Sequence, residues 1–340
     1  MRTPKIVFLT VVCSLFLIQG CAKRGQTRLP ESEPNFGGVV IQDQEVSQED
    51  VPEQAESYGP LEPVGGEPAA AVEPAAPAGQ EPKLCLVLGP GMAKALAQAA
   101  VLESIRKANL PVHCVVGTEM GAVVGALYSQ ANGNTNSLQW QLFKFNKDNY
   151  FNFPMISLRE PKSSGKKLNE FLRGMFRGKK IEALPIRFGT VAVNSEQDST
   201  VNFTQGDLPA ALSATLAMPG VFDPWSVNGE ALSSGANRSP APLDLARSLG
   251  GNFLVLIDVI EDNAGAPQGN ARFQRIFSGA RNLVRLQKKE ASFVIQVNAG
   301  AIPFDDFSRQ GEILAAGARA AEKSVPELKA AWEKWIAGQN

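Results

Sequence analysis

The sequence predicts an α/β domain built on a mainly parallel central sheet and preceded by a disordered tether. Three observations carry that expectation. Continuous apolar runs of strand length recur between residues 84 and 297, with helical periodicity separating the first of them. The early runs stop at glycine- or proline-containing turns, as at Gly89-Pro90-Gly91. Ahead of residue 83 the composition shifts to Pro, Glu, Ala, Gly and Gln, too poor in apolar side chains to offset the entropy of ordering.

The elements follow in order. Residues 84–88 form an apolar run halted by the Gly-Pro-Gly turn, and residues 93–108 carry Leu96, Ala100, Leu102 and Ile105 at helical spacing. A second run over 111–116 leads into the turn Gly117-Thr118-Glu119-Met120-Gly121, and a helix is expected from Gly121 to about Gln130. Strand, turn, helix, repeated, is the pattern of parallel strands joined by crossover helices. Further runs at 186–193, 253–259 and 293–297 extend the sheet, so residues 83–335 are expected to fold as one domain.

The 340 residues carry a formal net charge of −1, which conceals two unlike parts. From Glu31 to Pro82 there are 12 acidic residues and no Lys or Arg, whereas from Lys83 onward 28 basic residues face 22 acidic ones. The first part reads as an extended, self-repelling linker. The surplus in the second is too small and scattered to grip nucleic acid, which needs a basic stripe with aromatics. At the N-terminus, Arg2 and Lys5 precede an apolar run over 6–18 that ends at Gly20 and Cys21. This is a secretory signal, too short for a spanning helix. Within it, Leu17-Ile18-Gln19-Gly20-Cys21 resembles the lipobox of bacterial lipoproteins. That resemblance implies a signal peptide over 1–20, a lipidated Cys21 opening a linker over 21–82, and attachment to a membrane through the acyl chains. By the lipoprotein sorting pattern, Ala22 rather than Asp after the cysteine points to the outer membrane, with the domain facing the periplasm. Cys13 leaves with the signal, so Cys85 and Cys114 remain. Both fall in predicted strands and are expected as buried thiols, because neighbouring parallel strands seldom offer disulfide geometry.

The segment LCLVLGPGMAKALAQAAVLESIRKANLPVHCVVGTEMGAVVGALY resembles patatin-like phospholipases. There a loop, G-G-G-x-K-G in many members, follows the first strand, and G-T-S-M-G forms the nucleophile elbow. The stretch GDLPAALSATLAMPGVFDPWSVNGEALSSGANRSPAPLDLARSLGG tracks the family's S-x-x-x-P-x-x-F-x-P and the D-G-G region, and IPFDDFSRQGEILAAGARAA is similar to its closing strand and helix. The resemblance implies a patatin-like three-layer fold, a lipid ester substrate, no cofactor, and a Ser–Asp dyad without histidine. In such a site the elbow serine attacks the ester carbonyl, the aspartate acts on its proton, and loop N–H groups stabilise the oxyanion.

Measured against that pattern, the catalytic positions are degenerate. Glu119 stands at the nucleophile, and attack by its carboxylate on an ester would give a mixed anhydride. Ser234 stands at the aspartate, where a neutral hydroxyl accepts no proton at pH 7. In the oxyanion loop Pro90 and Met92 replace glycines, Ala95 replaces another, and Gly91 and Lys94 are retained, as are Gly117 and Gly121 of the elbow and Gly235 after Ser234. A catalytically inactive pseudoenzyme is expected, one that binds a lipid or acyl ligand or an envelope partner. The alternatives are a divergent lipid acyl hydrolase using non-standard residues and an envelope interaction protein with a closed pocket. Glu119 is expected at the N-terminus of the helix after the elbow, with Lys94 as its counter-charge. The single histidine, His113, sits inside a strand, and without paired Cys or His ligands no metal site is expected. Two basic clusters, over 159–180 and 271–290, are candidates for an anionic surface; the second spaces Phe273, Ile276, Phe277, Ala280 and Val284 as one apolar helix face.

Overall fold

The computed structural model describes residues 81–151, 162–260 and 271–338. The signal, Cys21 and all but the end of the linker lie outside the described residues. The first strand, β1 (Leu84–Leu88), turns through Gly89-Pro90-Gly91 into a 3-10 turn, Met92–Ala97, that runs on as α1 (Gln98–Lys107). Next come β2 (Val112–Gly117) and α2 (Met120–Gln130), then the short helices α3 (Leu138–Leu142) and α4 (Lys147–Tyr150), and α5 (Lys166–Phe176). They are followed by β3 (Arg187–Asn194), β4 (Ser199–Phe203), α6 (Leu208–Leu216), β5 (Trp225–Val227), β6 (Glu230–Ser234) and α7 (Leu243–Ser248). The described chain closes with β7 (Phe253–Asp258), α8 (Ala271–Gln287), β8 (Phe293–Gln296) and α9 (Gln310–Ala337).

The strands form one sheet in the order β5-β6-β3-β2-β1-β7-β8, with β4 paired to β3. From β3 through β2, β1 and β7 to β8 all pairings are parallel; β4, β5 and β6 add antiparallel ones. Because side chains alternate along a strand, each central strand feeds two layers. Leu84, Leu86 and Leu88 share a core with residues of α1, α2 and α9, while Cys85 and Val87 pack with Leu243, Leu245 and Ala246 of α7 and Val284 of α8. Strands buried on both faces are the reason these runs read as continuously apolar.

Three expectations need correction. Cys85 and Cys114 are joined in a disulfide, with Cα atoms 4.6 Å apart. The register of β1 on β2 places these two residues directly opposite each other on the same face, which is the pairing a bridge between parallel strands requires. The stretch after Ile302, expected to begin with a closing strand, instead makes a 3-10 turn at Phe307–Arg309 before α9. The helix expected from residue 93 opens as the 3-10 turn. The apolar face read in the second basic cluster is present: Phe273, Phe277, Ala280 and Val284 of α8 are buried. Among the described residues no helix is long and apolar enough to cross a membrane.

Candidate functional site

The site forms where β1 and β2 end side by side. Gly117 closes β2, and Thr118 donates its N–H to the Leu88 carbonyl at 3.1 Å, holding the turn against the end of β1. A Cβ at Gly117 would meet the backbone of Ala122 at 2.6 Å, and one at Gly121 would meet the carbonyl oxygens of Leu88 and Gly89 at 2.5 Å. Only glycine lets strand, turn and helix pack this closely. Between them Glu119 is held at φ 56° and ψ −128°, a backbone state costing about 1–3 kcal/mol for a residue with a side chain. Its N–H donates to Thr215 Oγ1 of α6 at 3.0 Å. The strained elbow is therefore intact, with a glutamate at its apex.

That side chain is completely buried. Glu119 Oε2 accepts from the backbone N–H groups of Gly91 at 2.9 Å and Met92 at 2.8 Å, and Oε1 accepts from the Tyr150 hydroxyl at 2.7 Å. The turn after β1 thus aims two adjacent N–H donors at one oxygen, the arrangement that stabilises an oxyanion in acyl transfer. Here the elbow's own carboxyl group occupies it. Burial pushes the Glu119 carboxyl above its ordinary value, while the N–H groups of Gly91, Met120 and Met92 and the Tyr150 hydroxyl pull it back. Burial first and the adjacent Glu119 second raise Tyr150 well above its usual range, so its hydroxyl stays a donor.

Glu119 sits at the N-cap of α2, but its side chain makes no capping hydrogen bond. The expectation that Lys94 would neutralise it is corrected. Lys94 Nζ donates to the Gly300 carbonyl at 2.8 Å and lies 5.0 Å from the centre of the Phe304 ring. Buried polar donors, not a cation, hold the carboxyl. The reading of the loop as degenerate also changes: Pro90 has no N–H to give, yet Gly91 and Met92 present theirs. A backbone donor does not depend on which side chain follows it. The Met92 side chain is fully buried in the main core, and Val259 lies where a Cβ on Gly91 would go.

Ser234 closes β6, nearly buried, and Gly235 follows it against Val191. Its N–H donates to the Ala217 carbonyl just beyond α6 at 2.9 Å, and its Oγ accepts from the Ala236 N–H at 3.3 Å. Thr118 Oγ1 reaches the Ser239 carbonyl at 2.9 Å, tying the elbow to the same loop. Above Glu119 an aromatic layer closes in. The Tyr150 ring lies 4.9 Å from Phe151, 5.7 Å from Phe222 and 5.2 Å from Phe307, and Phe151 reaches Phe273 at 6.0 Å. Neither of the two described cavities touches Gly91, Met92, Glu119 or Ser234. His113 lies at the opposite end of β2 from the elbow.

Among the other acids, Asp258 at the end of β7 is buried and pairs with Lys288 Nζ at 2.7 Å, and Asp244 is an exposed partner of Arg247. Among the described residues no group of three or more His, Cys, Asp or Glu is placed to hold a metal ion.

Residues 86–247 match the family model described as patatin-like phospholipase. An uncharacterized NTE family protein of Mycobacterium tuberculosis is 26% identical over 190 residues, covering 54% of this chain and 51% of that protein. Human patatin-like phospholipase domain-containing protein 6 is 27% identical over 181 residues, which is 52% of this chain and 13% of that protein. The chain thus spans about half the length of the mycobacterial relative and a small part of the human one. Among solved structures, VipD from Legionella pneumophila superimposes with a TM-score of 0.46 at 9% identity, over 73% of this chain and 67% of that one. The matched segment, with its glycine-framed elbow at the end of a parallel strand and an N–H pair opposite, is similar to the patatin-like phospholipase domain family. Within that segment the apex of the elbow is Glu119, and Ser234 closes β6.

Proposed function

We propose that this chain is a catalytically silent patatin-like domain whose elbow site is closed from within, and that it acts as an interaction protein of the bacterial envelope. The observation that carries this reading is the Glu119 carboxyl on the Gly91 and Met92 N–H groups. A substrate carbonyl would need those donors for its developing charge, and Glu119, the side chain at the elbow's apex, already occupies them. Were Glu119 itself the nucleophile, the tetrahedral intermediate would have to displace its own attacking group from the hole. Ser234 offers no base. The aromatic layer over Glu119 favours a closed site over an acyl-binding one.

In this reading residues 83–335 stand on the acidic linker over 21–82, attached through a lipidated Cys21. The Cys85–Cys114 disulfide supports an exported location, since such bridges persist in oxidising compartments. The test is turnover of short- and long-chain esters and of phospholipids by the purified protein beside Glu119→Ala and Ser234→Ala. All three are expected to match the uncatalysed rate; hydrolysis by the parent that Glu119→Ala abolishes would establish a divergent hydrolase instead. Lipid extraction followed by mass spectrometry is expected to find no stoichiometric acyl ligand, and finding one would favour an acyl-binding site.

A further inference from the structure

Trp140 and Phe143 are 74% and 43% exposed, the two aromatic side chains among the exposed large hydrophobics of the described residues. They stand 6.1 Å apart, edge to face, on one side of α3, with Lys144 on the same side one residue further on. Leu138 and Leu142 point the other way, into the core. Beside this pair lies a groove of about 610 Å³ between Gln141 and Lys144 on one wall and α5 on the other. Its floor includes the half-buried Phe171 and Met175, and its rim carries Lys144, Arg177 and Lys179 against a single acid, Glu170. Phe145 packs on Phe171 at 5.0 Å, so the α3 segment and α5 form one surface. Lys166, Lys167 and Lys180 are exposed on α5 and just beyond it.

We propose that this α3–α5 face docks the domain on an anionic phospholipid bilayer. Its chemistry pairs an aromatic wedge with a cationic rim, the combination that suits the headgroup boundary, where indole rings settle and basic side chains meet lipid phosphates. Trp140 stands on the outer shoulder of α3 rather than in the groove. A peptide lying in the groove would leave it in water, whereas a broad, deformable surface reaches the shoulder and the rim together. The inference does not depend on the closed elbow site, and it concerns the domain's own surface rather than attachment through Cys21.

The test uses the full chain, its Trp140→Phe variant as matched control, and vesicles of phosphatidylcholine alone or mixed with phosphatidylglycerol, both carrying brominated acyl chains that quench nearby indoles. The difference in emission between the two proteins isolates Trp140, so attachment through the N-terminal segment alone leaves that difference unquenched. Quenching of the Trp140 component by the mixed vesicles is expected, with weaker quenching by the neutral ones and reversal by salt. Replacing Lys144, Arg177 and Lys179 with Gln is expected to raise the vesicle concentration that gives half of this signal by roughly two orders of magnitude, taking the usual contribution of each basic residue near an anionic surface. No Trp140-specific quenching by the mixed vesicles, or an unchanged response in the triple variant, overturns the proposal. So does loss of the vesicle quenching when polyglutamate is added at an equal concentration of anionic groups, which would mark an acidic polymer as the partner.

Discussion

Replacing Glu119 with alanine tests the packing of the site through stability. The substitution leaves three buried donors without an acceptor, the N–H groups of Gly91 and Met92 and the Tyr150 hydroxyl. Each unmet buried donor costs about 1–3 kcal/mol. The relief of burying a carboxyl group offsets part of this, because burial is the leading influence on its protonation. Alanine does not relax the backbone, since it too must adopt the positive φ of residue 119. A net loss of about 2–4 kcal/mol follows, or about 5–15 °C in Tm for a domain of this size. Urea unfolding of parent and variant measures it. Acetate provides the internal control: a small carboxylate that refills the vacated N–H pair at about ten times its Kd returns roughly 1.4 kcal/mol to the variant and nothing to the parent. A loss under about 0.5 kcal/mol, or equal stabilisation of both proteins by acetate, would show that the carboxyl is not held as described.

Three further outcomes follow from the same structure. Because burial raises Glu119 above its ordinary 4.5, its contribution to stability is present below that value and is lost as pH rises through the folded value; Glu119→Gln is therefore expected to gain on the parent from acid to neutral pH, and urea unfolding showing a constant or shrinking gap would contradict this. Lys288→Met strips the cation from the buried Asp258, whose carboxyl is already pushed up by burial, and a loss of about 3–5 kcal/mol in the same assay is expected; a neutral effect would mean that the pair contributes little. Reducing the Cys85–Cys114 bridge, 29 residues apart in sequence, is expected to lower stability by about 3–4 kcal/mol on the chain-entropy account, with non-reducing peptide mass spectrometry reporting the bridge itself and finding two free thiols as the contrary result.

The central strands and the elbow were legible because each rests on a strong local signal. Runs such as LCLVL are buried on both faces, and Gly117 and Gly121 are required by backbone contacts that no other residue permits. Strands β4, β5 and β6 were not read. They are short, half-exposed and polar in places, and their pairing depends on β3 rather than on their own composition. The disulfide was misjudged because it depends on register, which the sequence of either strand alone does not contain. Tyr150 was missed altogether: it lies 31 residues after Glu119 in a short helix with no spacing that marks it. The oxyanion loop was misread for a different reason. Counting missing glycines treats side chains as the functional groups, whereas the donors at Gly91 and Met92 belong to the backbone, and Met92 donates without being a glycine.

The backbone amides of Gly91 and Met92 report most directly on the claim that the elbow carboxyl holds the loop's N–H pair. Their proton chemical shifts, followed by NMR in the parent and in Glu119→Ala, are expected to lie far downfield in the parent, to move upfield together in the variant, and to return when acetate is added. Shifts that are ordinary in the parent and unchanged by the substitution would mean that the pair is empty, and the site would then be open to a substrate or ligand.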